Sequence, residues 1–163
     1  LSDAERSKYK FQFRMAKKNR MGKKAANFDC ALATGETFSL HSLKSNYLLL
    51  IFFDPECSTC DAVIQQIIDS EPINRAMKMN SPTRTMLTIL TVYPGENIGK
   101  WVDYLPQLPA EWIHAYDQGM VITKKNLYDI KAYPTLYLLD KNKKVILKDS
   151  PPEVVEGFFS VSP

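Results

Sequence analysis

The chain has 163 residues, 45% hydrophobic and 24% charged, with a net charge of +3. That is the make-up of one α/β domain burying a full-sized core, and a second large domain would not fit. No apolar run approaches the roughly 18 residues needed to span a bilayer, which excludes a membrane span within these residues while leaving tethering of a longer chain open.

The charge is uneven. Residues 1–24 hold nine Lys/Arg against Asp3 and Glu5, a local +7 that leaves −4 for the remainder. A nucleic-acid surface would join such a cluster to a recognition fold or a stacking platform. Neither pattern is visible, so the cluster reads as a solvated helix face and no nucleic-acid partner is expected. Leu1 in place of methionine reads as the start of a fragment or processed form, so the missing leader says nothing of compartment.

In chain order, Ser2-Asp3-Ala4-Glu5 has the spacing of a capping box. It predicts a helix running toward a stop at Gly22, with Lys17, Lys18 and Arg20 near the negative end of its dipole. The rival reading is a strand, because Tyr9, Phe11, Phe13 and Met15 alternate with polar residues. "NFDCALATGETFSL" places Thr34-Gly35 between two short apolar arms, a β-hairpin signal. Cys30 falls in the first arm and reads as a small apolar filler, with a regulatory partner as the alternative.

Tyr47 to Phe53 is continuously apolar, hence a strand buried on both faces, and Asp54-Pro55 ends it. A helix follows, whose apolar positions Cys60, Val63, Ile64, Ile67 and Ile68 form one stripe. Met86 to Val92 predicts a strand, Asn97 to Leu105 a short helix, Trp112 to Asp117 a third strand, and about Val121 to Ile130 a helix. Thr135–Leu139 and Val145–Leu147, joined by the polar turn Asp140 to Lys144, predict a hairpin. Glu153 to Ser160, opened by Pro151 and Pro152, predicts a closing helix.

The chemistry lies in "FFDPECSTC". Three cysteines are too few for a disulfide scaffold, and a close pair plus a distant single fits a working dithiol. With the helix starting at Cys57, free N–H groups and the positive dipole end favour a thiolate there, and the thiolate is the nucleophile. Cys60 lies one turn on, about 5 to 6 Å away between β-carbons, and opens the buried stripe. An exposed attacking sulfur beside a shielded resolving one is what thiol-disulfide exchange requires. Two other readings stay open. C-x-x-C is half a zinc site, with Cys30, His41 and His114 as the remaining soft candidates. It is also compatible with a structural disulfide, although closing a single helical turn would constrain little loop entropy.

These residues resemble a known family. "FFDPECSTC" after a buried strand, with "AYPTLYLLDKNKKVI" further on, is similar to the thioredoxin-like superfamily, specifically its extracytoplasmic bacterial branch of the TlpA and ResA type. The likeness extends from about Ala26 to Phe159 and has a Bacteroidetes-like cast. It implies an α/β thioredoxin-like fold: a central mixed β-sheet flanked by helices, with an N-terminal β-hairpin and a preceding helix. The domain would cover residues 23–163, and residues 1–22 would be the tail of a preceding domain in a longer secreted chain.

By this resemblance the protein is a thiol-disulfide oxidoreductase, periplasmic or otherwise extracytoplasmic, without a cofactor. Its partners would be protein thiols and disulfides and an unidentified redox protein. Cys57 takes the attacking role and Cys60 the resolving role. Pro134 is the cis-proline facing them, the backbone of Tyr133 pairs with the substrate, and Glu56 completes the substrate-binding set.

Three departures stand out. Glu56 replaces the tryptophan that many thioredoxins carry before the first cysteine, and its charge should oppose a thiolate at Cys57. Ser58-Thr59 replaces Gly-Pro and leaves the direction of electron flow open. Ile51 sits where thioredoxins place a buried acid, so resolution would need another base or water. Asp54 and Asp61 are the nearest candidates, although acids at a helix start are ordinarily just solvated. Two alternatives remain: a peroxiredoxin-like thiol peroxidase, which would want threonine where Asp54 precedes Cys57, and a non-catalytic binding or metal-handling module of the same fold.

Overall fold

The computed structural model describes residues 1–161. Helix α1, Asp3–Lys17, starts in the predicted capping box: Glu5 N–H donates to Ser2 Oγ (3.1 Å) and Ser2 N–H to the Glu5 carboxylate (3.2 Å). It stops well before Gly22, because Asn19 takes a left-handed φ of 55° and turns the chain into the domain. There its amide donates to Leu127 O (2.9 Å) and accepts from Ala26 N–H (2.8 Å). The aromatic alternation is therefore not a strand. Every residue from 1 to 14 is exposed, Tyr9 at 56% and Phe13 at 62% among them, and Met15 is the first side chain of the helix to bury.

The hairpin forms as predicted from β1 (Asp29–Ala31) and β2 (Thr37–Ser39). Gly35 takes a φ of 92° in its turn, which costs a residue without Cβ little. Strands β3 (Tyr47–Phe52) and β4 (Leu87–Tyr93) pair in parallel, joined by a crossover carrying α2 (Ser58–Ile68) and α3 (Glu71–Lys78). Then come α4 (Ile98–Tyr104), β5 (Ile113–Tyr116), α5 (Val121–Lys124), the antiparallel pair β6 (Thr135–Asp140) and β7 (Val145–Lys148), and α6 (Pro152–Val161). The result is a mixed seven-stranded sheet in the order β2-β1-β5-β4-β3-β6-β7. None of the described helices is long and apolar enough to cross a membrane.

Period-two alternation splits the core into two layers. Leu49, Ile51 and Phe53 face a layer built with Cys60, Ile64, Ile67, Trp101 and Phe159. Leu48, Leu50 and Phe52 face the other, with Phe28, Cys30, Tyr128 and Tyr137. Both faces of β3 are covered, which is why its sequence is continuously apolar.

Two stretches differ from the sequence reading. Helix α3, which no predicted element anticipates, is capped by Ser70, whose Oγ accepts from Ile73 N–H (3.4 Å). Helix α5 ends at Lys124 rather than near Ile130. The physical cause is Tyr128, which leaves the helix to fill the second layer: its ring lies 5.0 Å from Phe52 and 5.3 Å edge-on from Tyr137, and its hydroxyl donates to Ala26 O (2.6 Å). Asn126, at a left-handed φ of 51°, makes the turn.

Candidate active site

The parallel strands β3 and β4 both point their C-terminal ends at one pole, and the loop after β3 delivers the cysteine pair there. Asp54 shapes that loop. Its Oδ1 accepts from Glu56 N–H (2.9 Å) and its carbonyl from Cys57 N–H (3.1 Å). Cys57 is the N-cap of α2, in extended conformation (φ −101°, ψ 114°), and its sulfur accepts from Cys60 N–H at 3.4 Å. A sulfur thus takes the position where a helix start ordinarily places a side-chain oxygen.

The two sulfurs differ in burial. Cys57 is half-buried and Cys60 fully buried, both are free thiols, and the pair approaches to 3.2 Å. Burial pushes the Cys60 thiol up to about 12, with a backbone hydrogen bond at Asp54 opposing and the neighbouring Cys57 reinforcing the shift. Cys60 therefore holds its proton at neutral pH and must give it up before it can attack.

Across the pole, the loop before β6 closes the site. The Tyr133–Pro134 peptide bond is cis, and Cys57 Sγ donates to Tyr133 O at 3.6 Å. Tyr133 is half-buried, and burial raises its phenol above the ordinary value. Four of the sequence-named residues, Cys57, Cys60, Tyr133 and Pro134, thus converge on one spot, and Glu56 stands at its rim.

Helix α4 supplies two residues that the sequence reading did not name. Lys100 forms an ion pair with Glu56. The carboxylate expected to oppose a thiolate thus has an ammonium beside it, though both groups are more than half exposed and the pair is worth little in stability. Tyr104, buried, donates its hydroxyl to Asp61, the residue after Cys60. Burial first, and that bond second, raise the Tyr104 phenol. Asp61 is therefore a tethered acid rather than a merely solvated one. Ile51 is fully buried in the layer that holds Cys60, so apolar packing replaces a carboxylate beneath the pair.

The remaining metal candidates are placed elsewhere. Cys30 is buried in the opposite layer, donating to Phe38 O (3.8 Å). Its thiol is pushed up to about 12 by burial and the nearby carboxylates of Asp117 and Asp29. His41 is not a free surface side chain, since its Nε2 binds Ala25 O (2.7 Å). His114 sits between Pro109 O and the Thr91 hydroxyl, both at 2.7 Å, and burial lowers its pKa. That arrangement suits a neutral ring donating from Nε2 and accepting at Nδ1. Among the described residues, no three His, Cys, Asp or Glu side chains gather to hold a metal.

No protein-family model matches the chain, and no curated protein matches it in sequence. Solved structures do match. A thioredoxin-like protein from Bacteroides caccae is similar over 100% of this chain at 37% identity, with a TM-score of 0.93; the chain spans 57% of that protein's length. The C-terminal domain of an uncharacterised Bacteroides fragilis protein matches 87% of the chain and 98% of its own at 38% identity (TM-score 0.83). A domain of a possible thiol-disulfide isomerase from Cytophaga hutchinsonii matches 86% and 91% at 27% identity (TM-score 0.69). With the sheet order, the cysteine-capped helix and these neighbours together, the chain belongs to the thioredoxin-like superfamily.

Proposed function

We propose that the protein is a thiol-disulfide oxidoreductase of the TlpA and ResA type, acting on protein substrates outside the cytoplasm. The observation that carries this reading is the asymmetry of two adjacent sulfurs: Cys57 caps a helix at the surface while Cys60, in contact with it, is buried and protonated.

In the reducing direction, the Cys57 thiolate attacks one sulfur of a substrate disulfide and forms a mixed disulfide. The other substrate sulfur leaves as a thiolate and takes a proton. Cys60 then loses its proton, attacks Cys57 Sγ, forms the Cys57–Cys60 disulfide and releases the second substrate thiol. Two electrons pass from the pair to the substrate, and the reverse sequence oxidises a dithiol. Tyr133, with its carbonyl turned to Cys57, offers a backbone edge to an extended substrate chain, and Pro134 follows it. Asp61, tethered by Tyr104, stands one residue from the sulfur that must be deprotonated.

Titration against glutathione buffers tests this reading. The expected result is one reversible two-electron couple, read as loss of two thiols, with a potential within the roughly −270 to −120 mV spanned by related dithiols. A protein that keeps all three thiols in fully oxidised glutathione would overturn it.

The domain is proposed to be residues 23–163, with residues 1–22 the tail of a preceding unit. The exposure of residues 1–14 supports this. Removing residues 1–13 is expected to shift unfolding stability by less than about 0.5 kcal/mol, the range of ordinary surface changes. A loss above about 2 kcal/mol in urea denaturation would place α1 within the domain.

A further inference from the structure

The pole opposite the cysteines, where β3 and β4 begin and β6 turns into β7, holds a concave cavity of about 620 Å³. The six residues of β3 set the two poles about 20 Å apart. Lys44, Arg84, Lys141 and Lys143 line the cavity, together with Thr83 and Thr85, and no acid does. None of these four cations belongs to an ion pair among the described residues. Asp140, which borders the adjoining hollow with Arg84 and Lys141, accepts at Oδ1 from the N–H groups of Asn142 (2.8 Å) and Lys144 (2.9 Å).

Lys143 is built into the fold rather than strewn on its surface. It is 4% exposed, stands at a left-handed φ of 64°, and is pinned by Ala25 N–H donating to its carbonyl (2.8 Å). Its ammonium donates to Leu43 O at 2.5 Å, one acceptor for a group with three donors. Burial lowers its pKa. Arg84 has a partner within reach too, since a half-turn of the Asn46 amide lets its oxygen accept from Nε (3.2 Å) and Nη2 (2.7 Å).

Four cations outside any ion pair, with the single carboxylate of Asp140 beside them, repel one another in one concavity, and residues 25–163 otherwise carry net negative charge. An anion is the counterpart that resolves this. Arginine forks and lysine ammonium groups match phosphate and sulfate oxygens, and the volume exceeds what one such group fills. We infer that this cavity binds a soluble anion carrying two phosphate-like or sulfate-like groups, independently of the redox site.

Calorimetric titration with inorganic pyrophosphate, at ionic strength held constant with sodium chloride, tests the inference on the intact chain. Saturable one-to-one binding is expected, weaker by about tenfold or more in the Arg84→Gln, Lys141→Gln double variant. Both side chains are exposed, so the fold should persist, and a thermal melt checks that it does. The Lys10→Gln, Lys131→Gln double variant, an equal change of charge at exposed lysines outside the cavity, is expected to bind as the wild type does. Absence of saturable heat, equal weakening in the Lys10→Gln, Lys131→Gln variant, or inorganic phosphate binding as tightly as pyrophosphate would each overturn it. Phosphatidylglycerol vesicles that displace pyrophosphate would likewise overturn the assignment to a soluble ligand.

Discussion

Cys57→Ser is expected to reduce insulin reduction by dithiothreitol to the uncatalysed background, a loss of about two orders of magnitude or more. The argument is one of access and protonation. Cys57 is the only one of the three thiols that reaches the surface; Cys60 and Cys30 are buried and both are pushed up to about 12. Without Cys57 no reactive thiolate meets a substrate. Cys60→Ser should fail differently. Its first attack survives, but nothing expels the bound substrate, so a one-to-one mixed disulfide at Cys57 should accumulate and be seen by mass spectrometry. A Cys57→Ser protein as fast as the wild type, or an adduct trapped on Cys60 rather than Cys57, would remove the assignment of roles.

The parts of the site that sit on one helical turn were legible in the sequence. C-x-x-C directly after a buried strand sets the two cysteines at the cap and first turn of α2, and the Cys60–Ile64–Ile67 stripe states which sulfur is shielded. The strands were legible for the same reason, since β3, covered on both faces, can be nothing but apolar. What escaped was non-local. Lys100 and Tyr104 reach residues 44 and 43 positions away, and only the docking of α4 beside the cysteine loop brings them there. No periodicity encodes that contact. Glu56 was consequently read as an uncompensated charge.

Helix α3 escaped for a local reason. Its signals were present, with Ser70 as cap and Pro72 in the first turn, but eight residues give too few apolar repeats to stand out. Helix α5 was over-extended because Leu127, Tyr128 and Ile130 look helical until Tyr128 is seen to be needed in the opposite core layer. Packing overrode propensity there.

Helix α4 is also where stability and the site meet, and Trp101 is the residue that joins them. It is fully buried, packed against Tyr116 with ring centroids 4.9 Å apart and the planes tilted by 53°, in the same core layer as Cys60. Trp101→Ala is expected to cost about 3 to 5 kcal/mol, because the cavity left behind cannot collapse under a sheet. The indole N–H has no partner, and leaving such a donor buried costs about 1 to 3 kcal/mol. Trp101→Phe keeps an aromatic ring against Tyr116, removes that orphaned donor and should therefore lose far less than the alanine variant. Urea unfolding followed by circular dichroism reads both. Because Lys100 and Tyr104 sit on the same short helix and grip Glu56 and Asp61, the alanine variant should also reduce insulin more slowly while still folded. An alanine variant that loses less than about 1 kcal/mol, or a phenylalanine variant as unstable as it, would show that α4 is not held by this ring.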